Sequence, residues 1–182
     1  MRIEFKGIIK FLLLALVLIS TFSAIGLTLN VGDKAPALSV TTGDGKVMTL
    51  EMLQGKVVVL IYNTRDTFNR NAKLRETLNK FYEEQSDERK YNCFKLAILD
   101  CSSAFFPIDF IWKKKLIEAS KSKNMDIYGD WDGKVAEDYD FNLDDSNIVI
   151  IDKDGFIRYL SKKEIKDENE INKIERLLNQ IT

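Results

Sequence analysis

Residues 56–74 read KVVVLIYNTRDTFNRNAKL, and this stretch predicts a strand followed by a helix. The run 56–62 is continuous and rich in β-branched residues, which is typical of a central strand buried on both faces. Leu74, Leu78 and Phe81 then recur at helical spacing. Ligand sites of α/β proteins lie at the carboxyl ends of such strands, so the polar residues 63–71 are the first candidates for a site.

The remaining periodicity extends this pattern to a whole domain. Strands are predicted at 94–100 and 125–128, and a β-hairpin at 147–160, whereas 85–92 reads as a polar loop. Two further helices are predicted from apolar faces, formed by Ile108, Ile111, Trp112, Lys115, Leu116 and Ala119 and by Ile171, Ile174, Leu177, Leu178 and Ile181. This order predicts an α/β fold with a central mixed β-sheet and helices on both faces. The strands 56–62 and 94–100 should be parallel.

The N-terminal residues have the layout of a secretory signal peptide. Basic residues precede an apolar run at 11–22, and small residues follow at 23–26. We expect residues 1–26 to be a signal peptide or an N-terminal anchor and residues 27–182 to be the functional domain. The alternative of a retained inner-membrane anchor stays open because the apolar run approaches the ~20 residues that span a bilayer. The expected location is the periplasm of a bacterium.

Charge and composition exclude several classes of function. Without residues 1–26 the chain has 24 basic residues against 27 acidic ones, so it has no charge reason to bind nucleic acid. It has no histidine, which removes Ser-His-Asp triads and histidine metal sites. Paired acids such as Asp130 and Asp132 lack the full spacing of a calcium loop and are interpreted as turn residues. We therefore predict no metal and no cofactor.

Cys93 and Cys101 are the two cysteines, and they bracket the predicted strand 94–100. Eight residues of strand span ~26 Å at about 3.3 Å each. The Cα atoms of a disulfide lie within about 7 Å of each other, so these cysteines should be separate, partly buried thiols.

Four stretches resemble one superfamily in residue type, order and spacing. They are VGDKAPALSV at 31–40, GDGKVMTLEMLQGKVVVLIY at 43–62, DWDGKVAEDYDF at 130–141 and IVIIDKDGFIRYL at 148–160. They are similar to the thioredoxin-fold superfamily, in its redoxin and peroxiredoxin-like branch, which implies a thioredoxin-like fold. YNTRDTFNRNA at 62–72 resembles the YtfJ-type exported bacterial proteins most closely, a group of poorly defined function. The positions that match are Tyr62, Asn63, Thr64, Thr67, Arg70 and Asn71.

The same resemblance shows where this chain departs from the thiol enzymes. Thr67 and Arg70 stand at the positions where thioredoxin-like oxidoreductases have the two cysteines of their C-x-x-C motif, and Arg70 also stands where peroxiredoxins have their peroxidatic cysteine. Ser146 occupies the position of the thioredoxin cis-proline, and its peptide bond should be trans. Because both reactions need a thiolate, the sequence argues against an enzyme of either class. The alternative is an unrecognised thiol reaction, for instance at Cys101.

We therefore expect a redox-inert module that binds an unknown envelope protein or a small anion. If the helix begins at Thr67, Arg70 lies in its positive first turn and needs an anionic partner. One alternative is internal compensation by Asp66. The other is an external carboxylate, phosphate or sulfate held by backbone amides, Thr67 and Arg70. Asn63, Thr64, Asn71 and Ser146 would form the polar wall of this surface, and only an uncleaved N-terminal segment would contact the membrane.

Overall fold

The computed structural model describes residues 28–182 and contains seven strands and five α-helices in this part of the chain. The strands are β1 (Ser39–Thr41), β2 (Val47–Thr49), β3 (Val57–Asn63), β4 (Cys93–Asp100), β5 (Ile127–Asp130), β6 (Asn147–Ile151) and β7 (Ile157–Ser161). The helices are α1 (Ala72–Glu83), α2 (Asp87–Asn92), α3 (Asp109–Lys123), α4 (Lys134–Asp138) and α5 (Glu168–Ile181). No helix within residues 28–182 is long and apolar enough to cross a membrane.

The seven strands form one mixed sheet in the order β2-β1-β5-β4-β3-β6-β7. Strand β4 is parallel to both β3 and β5, whereas β3 pairs antiparallel with β6, and β6 with β7. The predicted α/β fold with a parallel β3–β4 pair is therefore confirmed. Since β3 lies between β4 and β6, its carboxyl end at Asn63 is next to the start of β6 and the end of β4.

Alternate residues of β3 pack into two separate cores, because successive side chains of a strand point to opposite faces. Val57 and Val59 face Leu74 and Leu78 of α1 and the apolar stripe of α5. Val58, Leu60 and Tyr62 face the opposite side, where α4 and the N-terminal residues cover the sheet. The predicted arrangement of helices on both faces is thus confirmed, and the continuous apolar run of β3 is explained by burial on both sides.

Three local predictions are wrong. Residues 85–92 are not a loop throughout, because α2 begins after Ser86, whose hydroxyl accepts a hydrogen bond from the Arg89 N–H. The short strand lies at Ile127–Asp130 rather than 125–128. Asp130, interpreted above as a turn residue, is consequently inside a strand and fully buried.

The cysteine and hairpin predictions agree with the structure. Cys93 and Cys101 are free thiols at the two ends of β4. The β6–β7 hairpin turns at Asp154 and Gly155, where Gly155 takes a φ of 82° that a residue with a side chain rarely adopts. The Asp152 carboxylate accepts hydrogen bonds from the Asp154 and Phe156 N–H groups and stabilises this turn.

Candidate functional site

The candidate site is the junction from Asn63 to Asn71, which connects β3 to α1, together with Ser146 at the start of β6. The helix does not begin at Thr67 as predicted, because residues 65–71 form turns and α1 starts at Ala72. Asn71 precedes it with a φ of 55°, in the left-handed region, so the helix cannot extend backwards through this residue. The predicted cradle of helical amides above Thr67 is therefore absent from this junction.

Thr64 and Thr67, at the start of the junction, form hydrogen bonds with each other. The Thr64 N–H donates to the Thr67 hydroxyl oxygen at 2.9 Å, and the two hydroxyl oxygens lie 3.2 Å apart. The Thr67 N–H donates back to the Thr64 hydroxyl at 3.3 Å. Thr67 is buried, and its hydroxyl is engaged inside this ring rather than directed towards solvent. Thr67 thus stabilises the turn that follows β3.

Arg70 is compensated internally, but by a different carboxylate from the predicted one. Its Nη1 lies 2.9 Å from Oδ1 of Asp145, whereas Asp66 is exposed on the surface. Burial would raise the pKa of the Asp145 carboxyl. The N–H groups of Ser146 and Glu164 and the Arg70 guanidinium outweigh it, so the pKa is lowered from its ordinary value. Asp145 is therefore an anionic partner for Arg70, and the predicted Asp66 pairing is wrong.

Asn71 connects the junction to two distant segments. Its Nδ2 donates to the Ser146 hydroxyl at 2.9 Å, and its Oδ1 accepts from the Ile165 N–H at 2.5 Å. Asn71 and Ser146 are both buried, so these are interior hydrogen bonds. The cis peptide bond found within residues 28–182 is Phe106–Pro107, which confirms that the bonds beside Ser146 are trans. Ser146, which was expected at the position of the thioredoxin cis-proline, is here a hydrogen-bonding partner of Asn71.

The structure thus brings together five of the seven predicted site residues and separates two. Thr64, Thr67, Arg70, Asn71 and Ser146 lie along the junction and the start of β6. Asp66 stands on the exposed surface, and the side chain of Asn63 faces the side of the sheet that carries α1 and α3. Sequence reasoning missed Asp145 because Asp144 and Asp145 are another pair of acids of the kind that was interpreted as turn residues. Its place directly before Ser146 was the signal that could have found it.

Neither cysteine has the environment of a nucleophilic thiol. Cys101 is 1% exposed, and burial together with the nearby Asp100 and Asp130 carboxylates raises its pKa to about 12. Burial also raises the pKa of Cys93 to about 11. A reactive cysteine needs a lowered pKa and solvent access, so both thiols are poorly suited to attack a disulfide or a peroxide.

Comparison with known protein families identifies the family of this chain. The model of the AhpC/TSA family matches residues 31–160. This chain belongs to the AhpC/TSA family. No curated protein matches it.

Solved structures agree with the fold. The thioredoxin domain of a thiol-disulfide oxidoreductase from Bacteroides vulgatus is 21% identical over 83% of this chain and 99% of that one, with a TM-score of 0.58. A peroxiredoxin-like protein from Aquifex aeolicus is 19% identical over 84% and 90%, with a TM-score of 0.57. The exposed lipoprotein thioredoxin of Streptococcus pneumoniae is 18% identical over 78% and 99%, with a TM-score of 0.54. These structures confirm the predicted thioredoxin-like fold. The redoxin superfamily is confirmed by the family match over residues 31–160.

Proposed function

We propose that this AhpC/TSA-family protein is an exported, redox-inert binding module of the YtfJ type. The observation that carries the proposal is the environment of Thr67 and Arg70, which resemble in position the two cysteines of the C-x-x-C motif of thioredoxin-like oxidoreductases. Thr67 is held in a hydrogen-bonded ring with Thr64, and Arg70 is paired with Asp145. A hydroxyl and a guanidinium cannot replace two thiolates in disulfide or peroxide chemistry, because the thiolate sulfur is the attacking atom.

The runner-up function is a thiol reaction at a non-standard site. Cys101 follows the carboxyl end of β4, a favourable place for a site in an α/β protein. Its burial and raised pKa oppose this role, because the thiolate would be a minor species at neutral pH and would have no path to a large substrate.

The junction itself is suited to contact a partner. The Arg70 side chain is 43% exposed although it is paired with Asp145, so part of its guanidinium fork can still donate hydrogen bonds. We propose that the exposed N–H groups of Arg70 donate hydrogen bonds to a carboxylate. This carboxylate belongs either to an envelope protein or to a small anion. In a pull-down from envelope extract, capture of a protein by the native chain but not by the Arg70→Gln variant would support this role. Lys80→Gln, which removes an exposed charge from α1, is the matched control.

The first test is for thiol chemistry. The purified protein should neither reduce insulin nor turn over hydroperoxide with a thiol donor. The double variant Thr67→Cys with Arg70→Cys is the matched positive control. The Arg70 N–H donates to the Thr67 carbonyl at 2.8 Å, so the two residues are the ends of a β-turn. Their Cα atoms then lie within about 7 Å, a distance that a disulfide can bridge.

We expect the double variant to form a disulfide that dithiothreitol reduces, which can be measured by mass after alkylation. Insulin reduction by the native chain at a rate comparable to a cysteine-bearing redoxin would overturn the proposal. Rapid alkylation of Cys101 in the folded native protein would instead favour the runner-up function.

A further inference from the structure

A cavity of about 380 Å³ opens between α1 and α3, on the face of the sheet that these helices share. Its floor is apolar and contains Ile61, Ala97 and Ile127 from three adjacent strands. Leu78 of α1 and Met125, which follows α3, line its sides. The volume lies at the lower end of the range for small-molecule sites in proteins. Neither Thr67 nor Arg70 lines the cavity, although Phe68 of the turn between them forms part of its rim.

Two half-buried cations line this cavity without a carboxylate partner. Arg75 and Lys95 form no salt bridge within residues 28–182. Arg75 donates one hydrogen bond to the Arg70 carbonyl, and Lys95 donates to Asn79. Burial lowers the pKa of both groups, because each charge is partly removed from water. Near Lys95 the Glu83 carboxylate offsets only part of this effect, whereas burial alone acts on Arg75. Glu76 and Lys123 at the edge are exposed and leave an excess of positive charge.

The buried side chain of Asn63 is a second, independent observation that points to a ligand in this cavity. It is 4% exposed and lines the cavity, and its Oδ1 has no hydrogen-bond partner in the described part of the chain. A buried amide oxygen without a donor costs about 1–3 kcal/mol, so most are satisfied. Strand alternation places Asn63 on the same face as Val59 and Ile61. A ligand that brings a hydrogen-bond donor into the cavity would give Asn63 Oδ1 a partner.

The positions of these groups define the shape of a ligand. Arg75 is close to Phe68, with the guanidinium carbon 5.5 Å from the ring centroid, which places it at the Asn63 end. Lys95 pairs with Val59, four residues before Asn63, so it lies about 13 Å away along the strand at about 3.3 Å per residue. One end of the cavity therefore offers a cation and an unpaired acceptor, and an apolar floor extends from it.

We propose that this cavity binds a small amphiphilic acid that carries a hydrogen-bond donor next to its carboxylate, such as an N-acyl amino acid. The carboxylate accepts hydrogen bonds from Arg75, which keeps free N–H groups beside the one given to the Arg70 carbonyl. The adjacent N–H of the ligand donates to Asn63 Oδ1. The acyl chain covers Ile61, Ala97 and Ile127. This inference does not depend on whether the Thr67–Arg70 turn is redox-inert.

The test is calorimetric titration of the purified protein with N-octanoylglycine. We expect saturable binding, and affinity at least about tenfold lower for the uncharged methyl ester and for the Arg75→Gln variant, because a charge-assisted hydrogen bond is lost. Undecanoic acid has the same chain length but no N–H group, and it should also bind more weakly. Lys80→Gln is the charge control and should bind like the native protein.

A cavity-filling variant tests the location. Ala97→Leu adds apolar volume to the floor and removes no polar group, so it should abolish binding while circular dichroism shows a folded protein. If Ala97→Leu does not fold, the methyl ester comparison on the native protein still decides. Absence of saturable binding, equal affinity for undecanoic acid, or binding that persists unchanged in a folded Ala97→Leu variant would overturn the proposal.

Discussion

At the scale of single residues, side-chain hydrogen bonds and an ion pair fix the conformation of the junction between β3 and α1. Arg70 and Asn71 contact Asp145 and Ser146, which are distant in sequence. The predicted helix start at Thr67 relied on local spacing, but Asn71 adopts a left-handed conformation while both ends of its amide are held by Ser146 and Ile165. Local propensity could not reveal this start, because long-range contacts hold the backbone there.

Asp130 is a second residue whose environment the sequence did not reveal. It is fully buried, and its Oδ2 accepts hydrogen bonds from the Tyr62 hydroxyl and the Ala136 N–H, each at 3.0 Å. Its Oδ1 has no partner among residues 28–182. Burial raises the pKa of this carboxyl, and the two hydrogen bonds only partly offset the effect. Folding therefore favours the protonated form of Asp130 relative to the unfolded chain.

This raised pKa predicts a pH dependence of stability. An acid with a higher pKa in the folded state stabilises the protein fully below its unfolded pKa of about 4, and that contribution is lost as the pH rises through the folded pKa. Asp130→Asn keeps the shape but cannot ionise. We expect the free energy of unfolding of the variant, relative to the native protein, to increase from pH 4 to pH 8, by at most about 1.4 kcal/mol per pH unit.

Urea denaturation at several pH values measures this difference. Asp66→Asn is the control, because Asp66 is exposed and its removal should leave the pH profile of the native protein unchanged. Parallel pH profiles for Asp130→Asn and the native protein would contradict the prediction.

At the scale of elements, α3 is the helix whose burial the sequence predicted least well. Of the predicted apolar face, Leu116 is 2% exposed, whereas Ile111 is 52% exposed. The helix packs on the short strand β5, and the cavity separates part of it from α1, so much of the predicted face has no surface to cover. Periodicity reports the pattern of apolar residues along a helix, but it cannot report how much of the sheet lies beneath.

Two substitutions in α3 should therefore have very different effects. Leu116→Ala should lower the free energy of unfolding by about 2–5 kcal/mol, because it leaves a cavity in the core. Phe110→Ala should change it by less than about 0.5 kcal/mol, because Phe110 is 72% exposed. Urea denaturation of both variants compares them directly. Equal losses would mean that Phe110 is covered in solution.

At the scale of the whole molecule, the fold followed from the sequence more completely than the site did. The buried run of β3, the Asp-Gly hairpin and the C-terminal stripe each depend on neighbouring residues, and all three agree with the structure. The ion pair of Arg70 and the cavity beside Asn63 depend on how separate elements meet. Spacing along the chain contains no such information, so these features appeared only in three dimensions.

The core also limits where a mature chain can begin if the predicted signal peptide is removed. Leu29 is 8% exposed and belongs to the core that contains Tyr62 and Phe141. Close behind it, the Gly32 N–H donates to the Ile157 carbonyl at 2.8 Å, and the Ile157 N–H donates to the Asp33 carbonyl at 2.9 Å. A cut beyond Leu29 would remove a core residue, so we expect a mature chain that begins before it.

Mass spectrometry of fractionated cells should find a periplasmic chain whose first residue lies between Ala24 and Thr28. In that chain Leu29→Ala should lower the free energy of unfolding by about 2–3 kcal/mol, because the truncation removes buried apolar surface. Val31→Ala is the matched control with a loss below about 0.5 kcal/mol, since Val31 is 60% exposed. A full-length chain in the cytoplasm would contradict export. A mature chain that begins after Leu29 and keeps native stability would show that the folded domain does not need this residue.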